Sequence, residues 1–222
     1  YFKFHTLSLT ELSNQFGELP LSTLFAKGGW PELHTEPDIN PIQFLNDHLQ
    51  TTLEKELIQS AGIEKVQEFL KVLRLSAGRV GQVFVASEIS KDAGVKSETV
   101  SDWLSFVERM MYLIRIPAYS NSLVTRLIKA PKIYFSDVSL AVRLQGWSSI
   151  EPLLVSPVLG FLFENLVAEN LIKTKDCLMK NWDVFHWRTK GGEEVDFILS
   201  SPEGLIALEC KMSSSEAANY IP

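Results

Sequence analysis

The hydrophobic rhythm of the chain changes in its last third, and that change constrains the fold more than any other feature. From Val158 to Lys173 apolar residues occur almost all the way round a helical projection, with Glu164 and Glu169 set among them. This is the pattern of a helix covered on every side. Three short runs of period two follow, over 184–188, 194–199 and 205–211, separated by Lys190-Gly191-Gly192 and Pro202-Glu203-Gly204. They predict a three-strand meander behind the helix. Upstream the period stays near 3.6, so the chain reads as α+β.

Apolar residues at Ile42, Leu45, Leu49, Leu53 and Leu57 fall on one face of a helix predicted from Pro41 to Ser60. A second is predicted from Glu64 to Ala77, with Gly78 placed to end it. The first forty residues mix a strand-like Phe2-Lys3-Phe4, a Leu-rich segment and the turn chemistry of Gly28-Gly29-Trp30-Pro31-Glu32, and read as a connector. Ser87 to Ala93 predicts a short helix, Gly94 a tight turn, and Ser97 the cap of a longer helix running to about Met111. Strands are then predicted at 113–116 and 132–135, joined by a basic loop with Arg126 and Lys129 at its tip. That order is the layout of a winged helix-turn-helix module.

Net charge is −6, but it is unevenly spread: −5 over residues 1–63, +4 over 64–132 and −5 over 133–222. Only the middle third has the sign needed to neutralise phosphate. A DNA-contacting reading puts Lys96 and Thr99 at the start of a recognition helix and Arg126 and Lys129 against phosphate. Glu98 and Asp102 oppose it, and a structural or protein-contact role for the module stays open. The two cysteines, Cys177 and Cys210, form no C-x-x-C spacing and suit a reducing, cytoplasmic compartment. No window of eighteen residues is free of charge and apolar enough for a membrane span. The chain opens at Tyr1 without an initiator Met and stops at Pro222, so it reads as a fragment of a longer protein.

The chemistry lies in the predicted meander. Side chains alternate along a strand, so Glu194 and Asp196 share one face, and Glu209 shares a face with Lys211. Charges in such apolar strands are costly unless paired or bound to a metal. One reading is a Mg²⁺ or Mn²⁺ site ligated by Glu164, Asp196 and Glu209, with Asp196, Glu209 and Lys211 as the catalytic set for phosphodiester hydrolysis. The other is an internal salt bridge of Lys211 with Asp196 or Glu209, and no metal. Arg188 is expected to hold Glu164, His186 to be packed, and Glu194 to be the weaker site residue. Cys210, Trp103 and Trp187 are expected in the core.

Glu164 in a helix, Asp196 in Glu194-Val195-Asp196-Phe197, and Glu209-Cys210-Lys211 thirteen residues after Asp196 resemble the PD-(D/E)XK nuclease superfamily. Its core is an α-β-β-β-α-β sandwich. More narrowly, Gly160-Phe161-Leu162-Phe163-Glu164-Asn165, Trp187-Arg188-Thr189 and Glu193-Glu194-Val195-Asp196-Phe197 are similar to a C-terminal domain of unknown function in a prokaryotic family of AAA-type ATPases. Gly28-Gly29-Trp30-Pro31-Glu32, the Pro117-x-Tyr119-Ser120-Asn121 stretch, Arg126 and Lys129 to Asp137 are similar to the segment that precedes that domain. Lys55-Glu56 stands where the family often has an Arg-Asp pair.

The resemblance implies a connector and helix over 1–62 following an absent ATPase module, a winged-helix-like domain over 63–145, and a nuclease-like domain over 146–222 that stops before the last helix and strand of its core. No G-x-x-x-x-G-K-[ST] loop occurs, so ATP would belong to the absent module alone. The implied partners are DNA and the chain's own ATPase module, with self-association left open and no membrane. The alternative function is a catalytically inactive nuclease-fold module that binds a partner protein or nucleic acid.

Overall fold

A computed structural model describes residues 3–52, 63–189 and 191–212. The architecture is mixed α+β, with helices around two small antiparallel sheets. Four short helices come first: α1 (Leu9–Phe16), α2 (Leu21–Lys27), α3 (Pro31–Thr35) and α4 (Pro41–His48). Ser8 and Glu11 cap α1 reciprocally, and Pro starts α3 and α4, where the first N–H has no intrahelical acceptor to lose. The predicted helix from Pro41 is regular only to His48 and turns π-helical over 49–52; its remainder lies outside the described residues. Phe2 does too, and Lys3 and Phe4 belong to no strand.

Then come α5 (Val66–Ala77), α6 (Ala86–Ala93) and α7 (Ser97–Arg109). Gly94 ends α6 in the left-handed region, φ +76°, where a side chain would be strained. Lys96, and not Ser97, occupies the N-cap of α7; the Ser97 hydroxyl lies 3.1 Å from that of Ser90 across the turn. β1 (Leu113–Ile116) pairs with β2 (Lys132–Phe135), Leu113 opposite Phe135. Their connection is no simple wing tip, because it contains α8 (Leu123–Ile128), capped by Ser122.

The centre of the molecule is α9 (Val138–Leu144), buried along nearly its whole length and touching α2, α4, α5, β2 and the long helix α11. After the one-turn α10 (Glu151–Leu154), α11 runs over Leu159–Cys177, four residues past the predicted end. β3 (Asp183–Arg188), β4 (Glu194–Ser201) and β5 (Gly204–Leu208) form the meander, ordered β3-β4-β5. One cluster of buried side chains, from Leu12 through Phe69, Tyr134 and Leu166 to Leu199, joins α1, α2, α4 to α7, α9 to α11 and β1 to β4. Each fully buried Leu or Phe in it contributes about 1.5–3 kcal/mol.

The two sheets meet edge to edge. His186 N donates to the Pro117 carbonyl at 3.0 Å, and Tyr119 N donates to the His186 carbonyl at 2.6 Å. The peptide after β1 thereby continues alongside β3, which bulges between Phe185 and Trp187. Asn165 of α11 donates to the Phe135 carbonyl at 2.9 Å and accepts from Phe135 N at 2.7 Å. These bonds hold α11 against β2 and set the stage for the charged cluster between them.

Candidate functional site

Alternation along β2 places Lys132 and Tyr134 on the face that looks at α11 and β4. The Lys132 ammonium is 2% exposed and sits among three carboxylates. It donates to Glu164 Oε1 at 2.9 Å, pairs closely with Glu194, and lies 3.6 Å from Asp196 Oδ1. The Tyr134 hydroxyl donates to the same Glu164 oxygen at 2.5 Å. Cys210 N, just past β5, donates to Asp196 Oδ2 at 2.8 Å.

Electrostatics follow from this packing. Burial acts to lower the Lys132 pKa, yet the charges and hydrogen bonds of Glu164 and Glu194 outweigh it and raise it, so the ammonium stays charged. Burial raises the Glu164 carboxyl, against the opposing pull of Lys132 and Tyr134. Tyr134 is raised well above its ordinary value by burial and by the Glu164 charge, so its hydroxyl remains a donor. The Cys210 thiol is pushed up to about 12 by burial and by Asp196, which leaves it protonated and inert near neutrality.

Two of the sequence-predicted metal and catalytic residues, Glu164 and Asp196, therefore meet at one point. Glu209 and Lys211 do not join them. β5 stops at Leu208, and the Glu209 and Lys211 side chains are 50% and 81% exposed, their charged atoms 3.9 Å apart. Along β5, Leu205 and Ile206 are more than half exposed. Glu194, the weaker candidate by sequence, is in the cluster. Arg188 approaches Glu194 at 3.8 Å, while Glu164 is held by Lys132 and Tyr134.

As arranged, the cluster does not fit a divalent ion. Its centre holds an ammonium, and among the described residues no three His, Cys, Asp or Glu side chains are grouped to ligate a metal. Sequence reasoning missed Lys132 and Tyr134. The available signal was a lysine two residues before a tyrosine in an otherwise apolar Lys132-Ile133-Tyr134-Phe135 strand, a pattern that asks for a buried counter-charge.

The sequence-predicted nucleic-acid residues fall in two places. Lys96 is exposed and Thr99 half-buried at the start of α7. Lys129 is exposed after α8, while Arg126 is packed, its guanidinium 5.4 Å from the Tyr119 ring and 4.9 Å from the Phe185 ring, with Nε bonded to the Ser120 carbonyl. Among the described residues no hydrogen bond, ion pair or ring contact joins the two places. His186 is packed as expected. Burial lowers its pKa, so it is neutral; Nε2 donates to the Ala130 carbonyl at 3.2 Å, and Nδ1 is buried with no partner among the described residues.

A family model described as Domain of unknown function (DUF8612) matches residues 19–151, more than half of the chain. The chain belongs to this family. The DUF8612 match covers α2 through the start of α10, and so includes β2 with Lys132 and Tyr134. A second model, Domain of unknown function (DUF4143), matches residues 159–221, which carry α11 and β3 to β5. The cluster thus draws its ammonium from the DUF8612 stretch and its carboxylates from the stretch similar to DUF4143.

Curated relatives include an uncharacterized protein of Mycobacterium bovis and one of Mycobacterium tuberculosis. Each is 23% identical over 214 residues, covering 94% of this chain and 48% of the relative. The chain spans about half the length of the curated relatives it matches. No solved structure matches. Among the described residues no helix is long and apolar enough to cross a membrane.

Proposed function

We propose that this chain is the C-terminal region of a cytoplasmic AAA-type ATPase, in which a nuclease-like fold over 146–222 works as a docking or regulatory module and does not cut nucleic acid. The observation that carries this reading is the Lys132 ammonium among Glu164, Glu194 and Asp196. A charged side chain supplies there the neutralisation that a nuclease takes from its metal ion, and Lys211 faces solvent. Support for the ATPase connection comes from the motif resemblance, from the match to DUF4143, and from relatives about twice as long. The α5-α6-α7-β1-β2 region is read as winged-helix-like, with Lys96, Thr99 and Lys129 as its DNA-facing residues and Arg126, packed on Tyr119 and Phe185, as a support for the segment that carries Lys129.

The test is calorimetry of the chain with Mg²⁺ and Mn²⁺, alongside incubation with linear and circular DNA. The expected result is no saturable heat and no cleavage. Saturable metal binding or cleavage that disappears in Asp196→Ala would overturn the reading.

A metal-dependent nuclease is the second reading, favoured by strand register. Phe197 pairs with Leu208, so the next pair in the ladder would be Asp196 opposite Glu209, and Cys210 already reaches Asp196. This reading requires Lys132 to leave the carboxylates, and Lys132→Gln should then strengthen Mn²⁺ binding.

A further inference from the structure

Two half-buried guanidinium groups of the chain meet carboxylates: Arg79 reaches Asp92 at 2.8 Å and Arg115 reaches Glu108 at 3.2 Å. Arg143, half-buried in the last turn of α9, meets none among the described residues. Its Nε donates to Asn46 Oδ1 at 2.6 Å and its Nη1 to the Trp147 carbonyl at 2.7 Å, both neutral acceptors. A guanidinium has five N–H donors, so these two bonds fix the side chain and leave the other donors uncommitted.

Arg143 lines two clefts, of about 530 and 420 Å³, that share Arg74 and Leu144 with it. The larger is bordered by α5, by the end of α9 and by Val158 at the start of α11, and it brings in Lys71 as well. Lys71 and Arg74 lie three residues apart on α5, hence on one face, and both are exposed. Neither makes a hydrogen bond or ion pair among the described residues. No described Asp or Glu lines either cleft; Asp47, Glu68 and Glu151, the nearest along the chain, all stay outside. Cations in the last turns of α5 and α9 also suit the negative ends of the helix dipoles. The backbone acceptors there are already answered, however: Gly78 N donates to the Arg74 carbonyl, Gly146 N to that of Arg143 and Gln145 Nε2 to that of Ala77. The three cations are left facing a cavity without a counter-charge.

Such a lining concentrates anions. A carboxylate brings one charge, whereas a phosphate monoester brings about −1.5 to −2 at pH 7 and three acceptor oxygens, which a planar guanidinium grips in pairs. A DNA duplex presents singly charged phosphodiesters on a wide surface, and a concave cleft suits the smaller group. We propose that the cleft between α5 and α9 binds the phosphate monoester of a small molecule, with Arg143 as the fixed donor and Lys71 and Arg74 adding charge from α5. None of the residues read as DNA-facing lines it.

The test titrates the full chain with inorganic phosphate and with AMP at constant ionic strength, following by NMR the amide signals of Gly78 and Gly146, which line the cleft. Both probes should shift these signals saturably at pH 7.5, and acetate should bind at least about threefold more weakly. Lys71→Gln and Arg74→Gln, exposed and structurally mild changes, should each weaken binding about threefold to tenfold. Lowering the pH to 5.5 should weaken it too, because the second phosphate ionisation lies near about 6. AMP binding tighter than phosphate would support the proposal with a nucleotide as the source, and AMP binding no tighter would support it with the phosphate group alone recognised. No saturable shift, an affinity unchanged in both variants, acetate binding as well as phosphate, or a short DNA duplex moving the same signals more tightly than AMP would each overturn it.

Discussion

Replacing Lys132 by Met keeps an unbranched side chain, one atom shorter, and removes the charge together with its hydrogen bond to Glu164. In the wild type that charge, 2% exposed, is shared by Glu164, Glu194 and Asp196. Removing one partner of a buried ion pair leaves the other uncompensated and costs about 3–5 kcal/mol. Domains of ordinary stability have about 5–15 kcal/mol in all. At about 2 kcal/mol per molar urea, the unfolding midpoint of Lys132→Met should fall by about 1.5–2.5 M at pH 7.5, read by circular dichroism. The penalty should also depend on pH. Glu164 already has its pKa raised by burial, and Lys132 is what opposes that rise. Without the ammonium the folded-state pKa climbs further above the unfolded value, so stability is lost as pH rises through that interval and regained on acidification. The deficit against wild type should therefore shrink between pH 7.5 and pH 5, and Glu164→Gln added to Lys132→Met should recover part of it at pH 7.5. A deficit below about 1 kcal/mol, or one that is equal at both pH values, would refute the assignment of Lys132 as the neutralising cation.

Three further outcomes are expected. Glu169, paired with Lys173 at 3.1 Å inside α11, has its pKa raised to about 8 by burial, so its contribution to stability is present in acid and lost as pH rises through about 8. The wild-type melting temperature should fall from pH 6 to pH 9, and Glu169→Gln should flatten that slope. Gly28→Ala should cost more than Gly17→Ala, by at least about 1 kcal/mol in urea unfolding. Both have positive φ, but only at Gly28 does the added carbon meet Asp137, while at Gly17 it meets nothing within 4 Å. Arg126→Ala, which removes the guanidinium that packs against the Tyr119 and Phe185 rings, should raise amide hydrogen exchange across 119–131 and leave α5 protected, at a cost of about 1–2 kcal/mol.

Elements whose pattern is local could be read from the residues alone. The helices over 66–77, 86–93 and 97–109 carry apolar steps of three and four, with Gly78 and Gly94 at their ends, and the structure has them within a few residues of expectation. α9 could not be read this way, because Val138 to Leu144 is covered on all sides and shows no polar face to set a period. β5 was read three residues too long. The alternation continues to Lys211, but after Leu208 the Cys210 N–H turns to the Asp196 carboxylate and not to the backbone of β4. The half of the cluster contributed by α11 and β4 was legible, since Glu164 and Asp196 are charges in apolar elements. Its cation was not, because the charge that answers them comes from Lys132, thirty-two residues before Glu164, through a contact that only the tertiary fold creates.

Asn165 has a consequence beyond tying two elements together. Along the outer side of β2, Phe84 N and Gly81 N donate to the Pro131 and Ile133 carbonyls, and where that pairing runs out the Asn165 amide takes over both peptide groups of Phe135. One side chain imitates a neighbouring strand, donor for acceptor and acceptor for donor. The exposed ladder that would otherwise invite a stranger's backbone is thereby sealed by a residue borrowed from a helix. A third strand is unnecessary, and the small β1-β2 pair can lie at the heart of a mostly helical body without becoming a seed for aggregation.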